Sequence, residues 1–458
     1  MKKLTRTISG VTPVAVMTEP MDCPGECIYC PTYPAIPQSY TPESPAVLRG
    51  KECGFDAARQ VRLRLRALSE MGHPTDKVEL IIMGGTFLAL PHDYQYGFIK
   101  GCFDALNGEE AGSLAEAQKL NETALHRCTG LCIETRPDWC GQDEVDRMLK
   151  LGTTRVELGV QVLDDEIYRL VKRGHTVADV VHATALLKDH ALKVHYHWMP
   201  GLPGSSPRKD LEMSRTLFED PRFRPDGLKI YPTMVVEGTE LERWYRQGRY
   251  QPYPTDTMIN LVAEMKALVP PYLRISRVLR DIPPKFIVAG CRDSIRAAVR
   301  DRMKANATGC RCIRCREYGH RAMSGWAPGE PCMVRTDYEA SGGREVFLSY
   351  EDENETLFGL LRLRVQPRSV GALGRETGPC AVVRELHVYG PEVPLNQQDS
   401  FAAQHKGLGR ALLQEAERIT RDEFGIPALF VLSGVGAREY YRSGFGYHLR
   451  GDYMFREL

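Results

Sequence analysis

From about residue 77 the chain alternates short β-branched apolar runs with longer amphipathic stretches, and this rhythm limits the fold more than any other feature. The runs are Val78–Met83, Leu131–Glu134, Arg155–Val160, Leu192–Trp198, Gly227–Tyr231 and Leu273–Val278, with an earlier one at Val14–Met17. Helical patterns such as Asp143–Leu151, Val177–Asp189 and Asp256–Leu268 separate most of them. A parallel strand pair needs a crossover connection, so strand–helix alternation predicts a parallel sheet with helices outside. The strand count fits an open or partial βα barrel over residues 1–280 better than a short doubly wound sheet.

After about residue 280 the rhythm stops. Residues 281–325 read as a basic, partly helical linker. Residues 326–458 read as a compact α+β domain. In it, strands at Glu345–Tyr350, Leu357–Val365 and Ala381–Val388 precede a helix at about Lys406–Phe424 and a strand at Ala428–Leu432.

Composition narrows the class. In 458 residues, 43% are hydrophobic and 26% charged, which is globular and excludes disordered and collagen-like designs. No stretch reaches the ~18 continuous apolar residues of a membrane span. The basic start, Met1-Lys2-Lys3-Leu4-Thr5-Arg6, has no apolar core behind it. No signal peptide is visible, so a cytoplasmic protein without a membrane partner is expected. Net charge is +1, yet Arg274–Arg321 holds 13 Lys/Arg against 4 Asp/Glu. A near-neutral chain with one concentrated basic segment points to a polyanion site whose binding weakens with salt.

The loops after the strands collect chemistry: Met83-Gly84-Gly85-Thr86, Glu134-Thr135-Arg136-Pro137-Asp138, Gly159-Val160-Gln161 and Tyr231-Pro232-Thr233. Active sites of parallel βα barrels form at the carboxyl ends of strands. Turn chemistry accounts for Gly and Pro there, but less well for Glu134, Arg136, Gln161 and Lys229. Lys229 and Tyr231, at one strand end, are candidate catalytic residues.

Fourteen cysteines are many for a reducing compartment, where clustered thiols mean metal more often than disulfides. Cys23, Cys27 and Cys30 form C-x3-C-x2-C with Tyr29 before the last thiol. Three thiolates on one loop can hold three irons of a cubane cluster and leave the fourth open. A structural zinc prefers four protein ligands. The motif resembles the radical S-adenosylmethionine superfamily. That resemblance implies a 4Fe-4S cluster whose open iron binds S-adenosylmethionine, with Gly84 and Gly85 in the glycine-rich motif against its methionine end. Glu134 and Gln161 join them as cofactor-binding candidates.

Gln404-His405-Lys406-Gly407-Leu408-Gly409-Arg410 precedes a helical run as Q-x-x-G-x-G. Glycines let backbone N–H groups approach a pyrophosphate, and a helix N-terminus adds favourable potential. With a strand upstream, a strand after the helix and Tyr440-Tyr441 opening the last helix, the order resembles the GCN5-related acetyltransferase fold, which binds acetyl-coenzyme A. The resemblance points to Glu385, Leu386, His387 and Val388 along the pantetheine, and to Gln404, Gly407, Leu408, Gly409 and Arg410 at the phosphates. A late tyrosine reaches the thiol end in that fold; Tyr441 is the candidate, with Tyr440 as a packing residue.

Cys310, Cys312 and Cys315 form a second cluster, C-x-C-x2-C. Zinc is the reading, with Cys332 or His320 as fourth ligand, and a second iron–sulfur cluster is the rival. His195 and His197 share one face of a strand. Packing or hydrogen bonding near the barrel centre explains them better than a metal pair. Cys128, Cys132 and Cys140 lack a compact ligand pattern and read as buried thiols.

The pairing of these two domains is distinctive. Together with Ile133-Glu134-Thr135-Arg136-Pro137-Asp138, Phe223-Arg224-Pro225-Asp226-Gly227-Leu228-Lys229 and Arg384-Glu385-Leu386-His387-Val388-Tyr389-Gly390, it closely resembles the catalytic subunit of Elongator over nearly the whole chain. The resemblance implies a carboxymethyl transfer to carbon 5 of the wobble uridine of tRNA, using acetyl-coenzyme A and a 5′-deoxyadenosyl radical. It also implies Lys77 as an acetyl-coenzyme A contact and the anticodon stem-loop as partner of the basic segment. The chain departs from eukaryotic members in its closer cluster cysteines, in beginning almost at the cluster strand, and in the 310–315 thiols. These departures imply a compact microbial member that acts without the accessory Elongator subunits. The competing readings are a protein lysine acetyltransferase acting on histones or tubulin, and a tRNA-binding scaffold that only hydrolyses acetyl-coenzyme A.

Overall fold

The computed structural model describes residues 7–323, 329–367, 378–389 and 407–458. Seven strands form the first sheet: β1 (Thr12–Met17), β2 (Lys77–Met83), β3 (Arg127–Thr135), β4 (Arg155–Gln161), β5 (Lys193–Trp198), β6 (Gly227–Ile230) and β7 (Arg274–Val278). They lie side by side in chain order, every pair parallel, with β1 and β7 as the two edges. This is the half barrel that the alternation predicts. Its outer face is apolar: Val156, Leu158, Val194, Tyr196 and Trp198 are buried beneath the crossover helices. Caps hold the helix starts at the strand exits, as where Asp164 accepts from Ile167 N–H and Ser206 from Lys209 N–H.

The inner face is charged instead. Arg155, Glu157, His195, His197 and Lys229 all project into the barrel. A charge inside a strand is tolerated only when it is paired: Arg155 meets Glu79 and Glu157, and Lys229 and His197 both meet Glu157.

The second domain is a seven-stranded sheet of β8 (Cys332–Ala340), β9 (Gly343–Glu351), β10 (Leu357–Gln366), β11 (Cys380–Val388), β12 (Ala428–Val431), β13 (His448–Arg450) and β14 (Tyr453–Glu457). The order is β8-β9-β10-β11-β12-β14-β13. Strands β8, β13 and β14 carry too little alternation to be read in the sequence. Among the described residues of this sheet only β11 and β12 pair in parallel, over Val382↔Phe430 and Val383↔Val431. At that point β11 also bulges against β10, where Arg362 pairs with Glu385 and Leu363 with Val383. The pairing of β11 with β12 ends there, where β12 stops at Val431. The helix Leu408–Arg418 packs over β10 and β11 and runs into one π turn, Ile419–Glu423.

This domain closes the floor of the half barrel, beneath the amino ends of the strands. Lys193, first residue of β5, bonds Glu385 at 3.1 Å. Asp226, just before β6, is 3.0 Å from Arg384. The Tyr272 ring, just before β7, stacks on Tyr338 at 3.8 Å. Gly434 lies against the backbone of Thr129 in β3, where an added Cβ would stand 2.2 Å from a carbonyl oxygen. Neither backbone can yield cheaply, so Gly434→Ala should cost about 1–3 kcal/mol of stability as an overpacked contact. Urea unfolding of the full chain measures this; an unchanged midpoint would show that the two domains are not seated this closely.

Candidate active site

One cavity of about 740 Å³ fills the half barrel. Its mouth is the loop after β1, which carries Cys23, Cys27 and Cys30; its floor is made by Arg362, Glu385, His387 and Tyr389. All three loop thiols line the cavity. Among the described residues, the ligand sets whose atoms all fall within 4.8 Å of one another are Cys310/Cys312/Cys315 and Glu134/Glu157/His197. The loop thiols are spread more widely, which suits several irons better than a single ion.

Arg173 donates to Cys27 Sγ at 3.4 Å and is anchored on Gly159 O. Thr86 Oγ1 stands 3.7 Å from Cys23 Sγ. Gly84 holds φ +143°, and a Cβ there would strike Thr18 Oγ1. Gly85, at φ +94°, lines the wall. Gln161 sits in the left-handed region at φ +76°, a strained place for a side-chain residue, and its buried Oε1 has no partner. Arg136 Nη1 is likewise buried and without a partner. A glycine-floored recess with an orphaned acceptor, an orphaned donor and three thiols fits a polar zwitterion held beside an iron–sulfur cluster.

Opposite the loop lies a second group. The Lys229 ammonium bonds Glu157 and stands 3.6 Å from Glu134. His197 Nε2 is 3.1 Å from the same Glu157 oxygen, and Tyr40 donates to Glu134 at 2.9 Å. Burial alone would raise the Glu157 carboxyl, but Lys229, His197 and Arg155 outweigh it and hold it well below the usual carboxylate range. Burial would likewise lower the Lys229 ammonium, yet Glu157, Tyr231 and Glu134 keep it above the ordinary lysine value. The cationic place among Glu134, Glu157 and His197 is thus taken by Lys229. Tyr231 meets the His197 ring edge-on at 5.2 Å. His195 is buried, its Nδ1 unpartnered, and burial and Arg155 hold it well below the usual imidazole range, so it is neutral.

The residues that complete this site and escaped the sequence reading are Tyr40, Glu157, Arg155 and Arg173. Arg155-Val156-Glu157 did carry a signal: two charges inside an otherwise apolar strand run.

In the second domain Gly407 begins the helix at φ +78°, with Leu408, Gly409 and Arg410 in the first turn. A Cβ on Gly409 would meet the Tyr440 hydroxyl at 3.0 Å and Val388 at 3.6 Å, so the helix start abuts the end of β11. Gln404 lies outside the described residues. Glu385 turns its carboxylate into the barrel, between Lys193 and Arg362, which together overcome burial and hold it well below the usual range. His387 bonds Ser9 O at 2.6 Å, and Leu386 packs in the apolar core. The two tyrosines differ in burial. Tyr441 is buried among core residues with its ring 6.0 Å from Tyr447, whereas Tyr440 is half exposed beside Gly409. Lys77 opens β2 in register with Arg127, against which Gly436 packs.

The sulfurs of Cys310, Cys312 and Cys315 lie within 4.8 Å of one another, close enough to hold a metal ion. Neither expected fourth ligand joins them. Cys332 is exposed on β8 and donates to Glu351 O at 3.4 Å; His320 Nε2 is 2.9 Å from Glu317. The basic segment is largely spent on internal ties. Arg316 bonds Glu351, Arg274 bonds Glu317, Arg302 bonds Asp256 and Arg311 bonds Glu355. Arg292, Arg300 and Lys304 remain exposed.

Three comparisons bear on this arrangement. Residues 21–217 match the Radical SAM superfamily, residues 225–305 the Radical_SAM C-terminal domain, and residues 314–447 the Acetyltransferase (GNAT) family. A radical SAM domain implies a 4Fe-4S cluster and S-adenosylmethionine, and a GNAT domain implies acetyl-coenzyme A. The chain is 66% identical to a tRNA uridine(34) acetyltransferase of Dehalococcoides mccartyi over the whole of both proteins. It is 43% identical to human Elongator complex protein 3, covering all of this chain and 86% of that one. The solved archaeal Elp3 of Methanocaldococcus infernus, with residues 1–46 deleted, superposes with a TM-score of 0.87 at 47% identity, over 99% of this chain and 100% of that one. The chain is therefore an enzyme of the family that holds the tRNA uridine(34) acetyltransferases and Elongator complex protein 3, with a radical SAM half barrel and a GNAT domain on one polypeptide.

Proposed function

We propose that this enzyme modifies the wobble uridine of tRNA, building a carboxymethyl group on carbon 5 from the acetyl group of acetyl-coenzyme A. The observation that carries this reading is the single cavity bounded at one end by the three loop thiols and at the other by strand β11 of the GNAT domain. A plain acetyltransferase needs no thiol loop, and a plain radical enzyme needs no acyl carrier. The cluster and S-adenosylmethionine, when bound, supply one-electron chemistry able to activate a methyl C–H bond. The chain's own residues bind and orient. Lys229, kept charged by Glu134 and Glu157, is placed to donate to a carbonyl oxygen of the pyrimidine. Tyr231 and His197 wall the recess and exclude water. The base would leave its stack to enter, as RNA enzymes commonly require.

The exposed cations Arg292, Arg300 and Lys304 are offered to the phosphates of the anticodon stem-loop, a smaller footprint than the charge count implies. Zinc on Cys310, Cys312 and Cys315 would stiffen the segment that carries them. In this reading the enzyme works in the cytoplasm without accessory subunits. Acetylation of a protein lysine is less well supported, because Glu385 and His387 face the barrel interior.

The test is anaerobic reaction of the reconstituted protein with reductant, S-adenosylmethionine, acetyl-coenzyme A and bulk tRNA, read by nucleoside mass spectrometry. 5-Carboxymethyluridine is expected. Lys229→Met should lower its formation by about 10²–10³-fold, as loss of one preorganised donor does, while the fold persists. Undiminished product in that variant would remove Lys229 from the chemistry.

A further inference from the structure

A second recess, of about 310 Å³, lies outside the barrel cavity, on the far side of the loop that follows β5. Met199, at the start of that loop, lines the barrel cavity, and Leu202–Ser205 line the recess. Three residues span at most about 11 Å, so the recess stands at the rim of the barrel mouth. The helices Asp165–Leu170 and Glu240–Arg246 fix it against the thiol loop. Val171 O, just after the first, accepts from Ile28 N–H at 3.1 Å, and Leu241 N–H in the second donates to Ile28 O at 2.8 Å. The walls present ring faces and spend their hydroxyls inward. Tyr250 donates to Gly201 O at 2.7 Å, Tyr253 to Asp210 at 2.9 Å, and Ser205 to the same carboxylate at 2.7 Å. The Arg249 guanidinium lies over the Trp244 ring, 4.3 Å from its centre. A turn through Gly248, at φ +71°, brings it there, with Arg249 N–H donating to Trp244 O at 2.9 Å. Arg249 and Gln251 are exposed. Among the described residues, no acid stands within ion-pair distance of Arg249 and the Gln251 amide makes no hydrogen bond.

We propose that this recess holds an unstacked base of the RNA substrate, that of a nucleotide next to the uridine that enters the barrel. The inference rests on the proposed function and adds to it a second point at which the RNA is read. A nucleobase offers flat π faces and a polar edge. Single-stranded RNA is recognised by stacking such faces on aromatic rings and guanidinium planes. Arg249, already laid flat on Trp244, is a plane of that kind, and a group fixed before binding loses little freedom on binding. Gln251 carries one acceptor and two donors, the pairing a base edge requires. Leu170, 43% exposed, gains apolar cover when the recess is filled. The surroundings suit a phosphate chain. Lys172 is paired with Glu240 and Arg246 with Glu242, while Arg169 and Arg243 are exposed with no acid in ion-pair reach among the described residues. A peptide in this place would need polar partners for its main chain, and the hydroxyls of Ser205, Tyr250 and Tyr253 are already spent. The recess therefore makes entry of the uridine depend on its neighbour in the RNA.

The experiment is a double-mutant cycle between protein and RNA. The reconstituted full chain is titrated at fixed salt with synthetic anticodon stem-loop RNAs. One RNA is intact; two others are abasic at the nucleotide on the 5′ or the 3′ side of the wobble uridine. Arg249→Ala should weaken binding of the intact RNA by about 10-fold, the scale of one base stack. One of the two abasic RNAs should bind the parent about as weakly, and Arg249→Ala should weaken that RNA no further. Additive losses on both abasic RNAs would overturn the base site. Arg249→Lys keeps the charge and loses the plane, so it should bind like Arg249→Ala. Parent-like binding by Arg249→Lys would make Arg249 a phosphate contact and would overturn the base site too. Arg249 is exposed, so both variants should keep the urea midpoint of the parent. Equal binding of the intact RNA by parent and Arg249→Ala would overturn the inference and leave the proposed function standing. Failure of the parent itself to bind the intact RNA would instead overturn the function on which the inference rests.

Discussion

Cys27→Ala is expected to reduce formation of modified uridine to background while leaving the protein folded. The thiol sits on a loop at the cavity mouth and is only partly buried, so its loss opens no void in the core. Its neighbour Arg173 keeps its second anchor on Gly159 O and is not stranded. A cluster held by three thiolates cannot be held by two with the same charge and geometry. The check is twofold: the iron–sulfur absorbance of the reconstituted variant, and nucleoside mass spectrometry of the treated tRNA. Retained product without a cluster would end the radical reading and move the chemistry to the GNAT domain. Tryptophan fluorescence and the urea midpoint should stay within about 1 kcal/mol of the parent, as for a surface loop change.

The largest effect on stability is expected at Asp226. This carboxylate is 1% exposed. It accepts from Val194 N–H at 2.8 Å and from Arg384 at 2.5 Å, with Lys188 at 3.6 Å and Arg362 at 3.5 Å. Glu345 completes the cluster, 3.1 Å from both Arg384 and Arg364. Removing one partner of a buried ion set strands the others, so Asp226→Ala should cost about 3–5 kcal/mol. The double variant Asp226→Leu with Arg384→Leu should cost less than the sum of the singles, because it removes the stranded charge as well. Additive losses would show that the two groups do not act on one another. Burial raises the Asp226 carboxyl, but Arg384, Lys188 and Arg362 hold it well below its usual value. Its folded pKa therefore lies below the unfolded value of about 4. The stability it contributes is fully present above that value and is lost as pH falls through the folded pKa. Asp226→Ala should flatten the acid limb of the stability curve.

Much of the barrel was legible because buried parallel strands announce themselves. Val78–Met83 and Leu192–Trp198 are β-branched and aromatic runs between helical stretches, and all seven such runs are strands. Strand β8 was not legible, since Cys332–Ala340 is an edge strand whose side chains are mostly exposed. The thiol loop and the glycine turn could be read locally, as their members lie within a few residues of one another. The Lys229 group could not. Its partner Glu157 is 72 residues away, and Tyr40 is 94 from Glu134. A count of charges misleads for the same reason: the acids that neutralise Arg302, Arg311 and Arg316 come from a helix, a loop and the end of strand β9 far along the chain. Nor could spacing tell that the GNAT domain forms the floor of the barrel, which is a fact about docking rather than about either fold.

That docking also sets an order of assembly. Asp226 and Lys188 leave the ribosome long before Glu345, Arg362 and Arg384; the Asp226–Arg384 contact alone spans 158 residues. Until the later segment arrives, the nascent barrel carries ionised groups along an open base that only water can satisfy. Its last step of consolidation waits for contacts of high sequence separation, which are slow to form. A chain stopped near residue 325 would hold every thiol of the loop and every strand of the barrel, yet its lower rim would stay hydrated and loose. The radical half of this enzyme matures only when its acyl-binding half has been made.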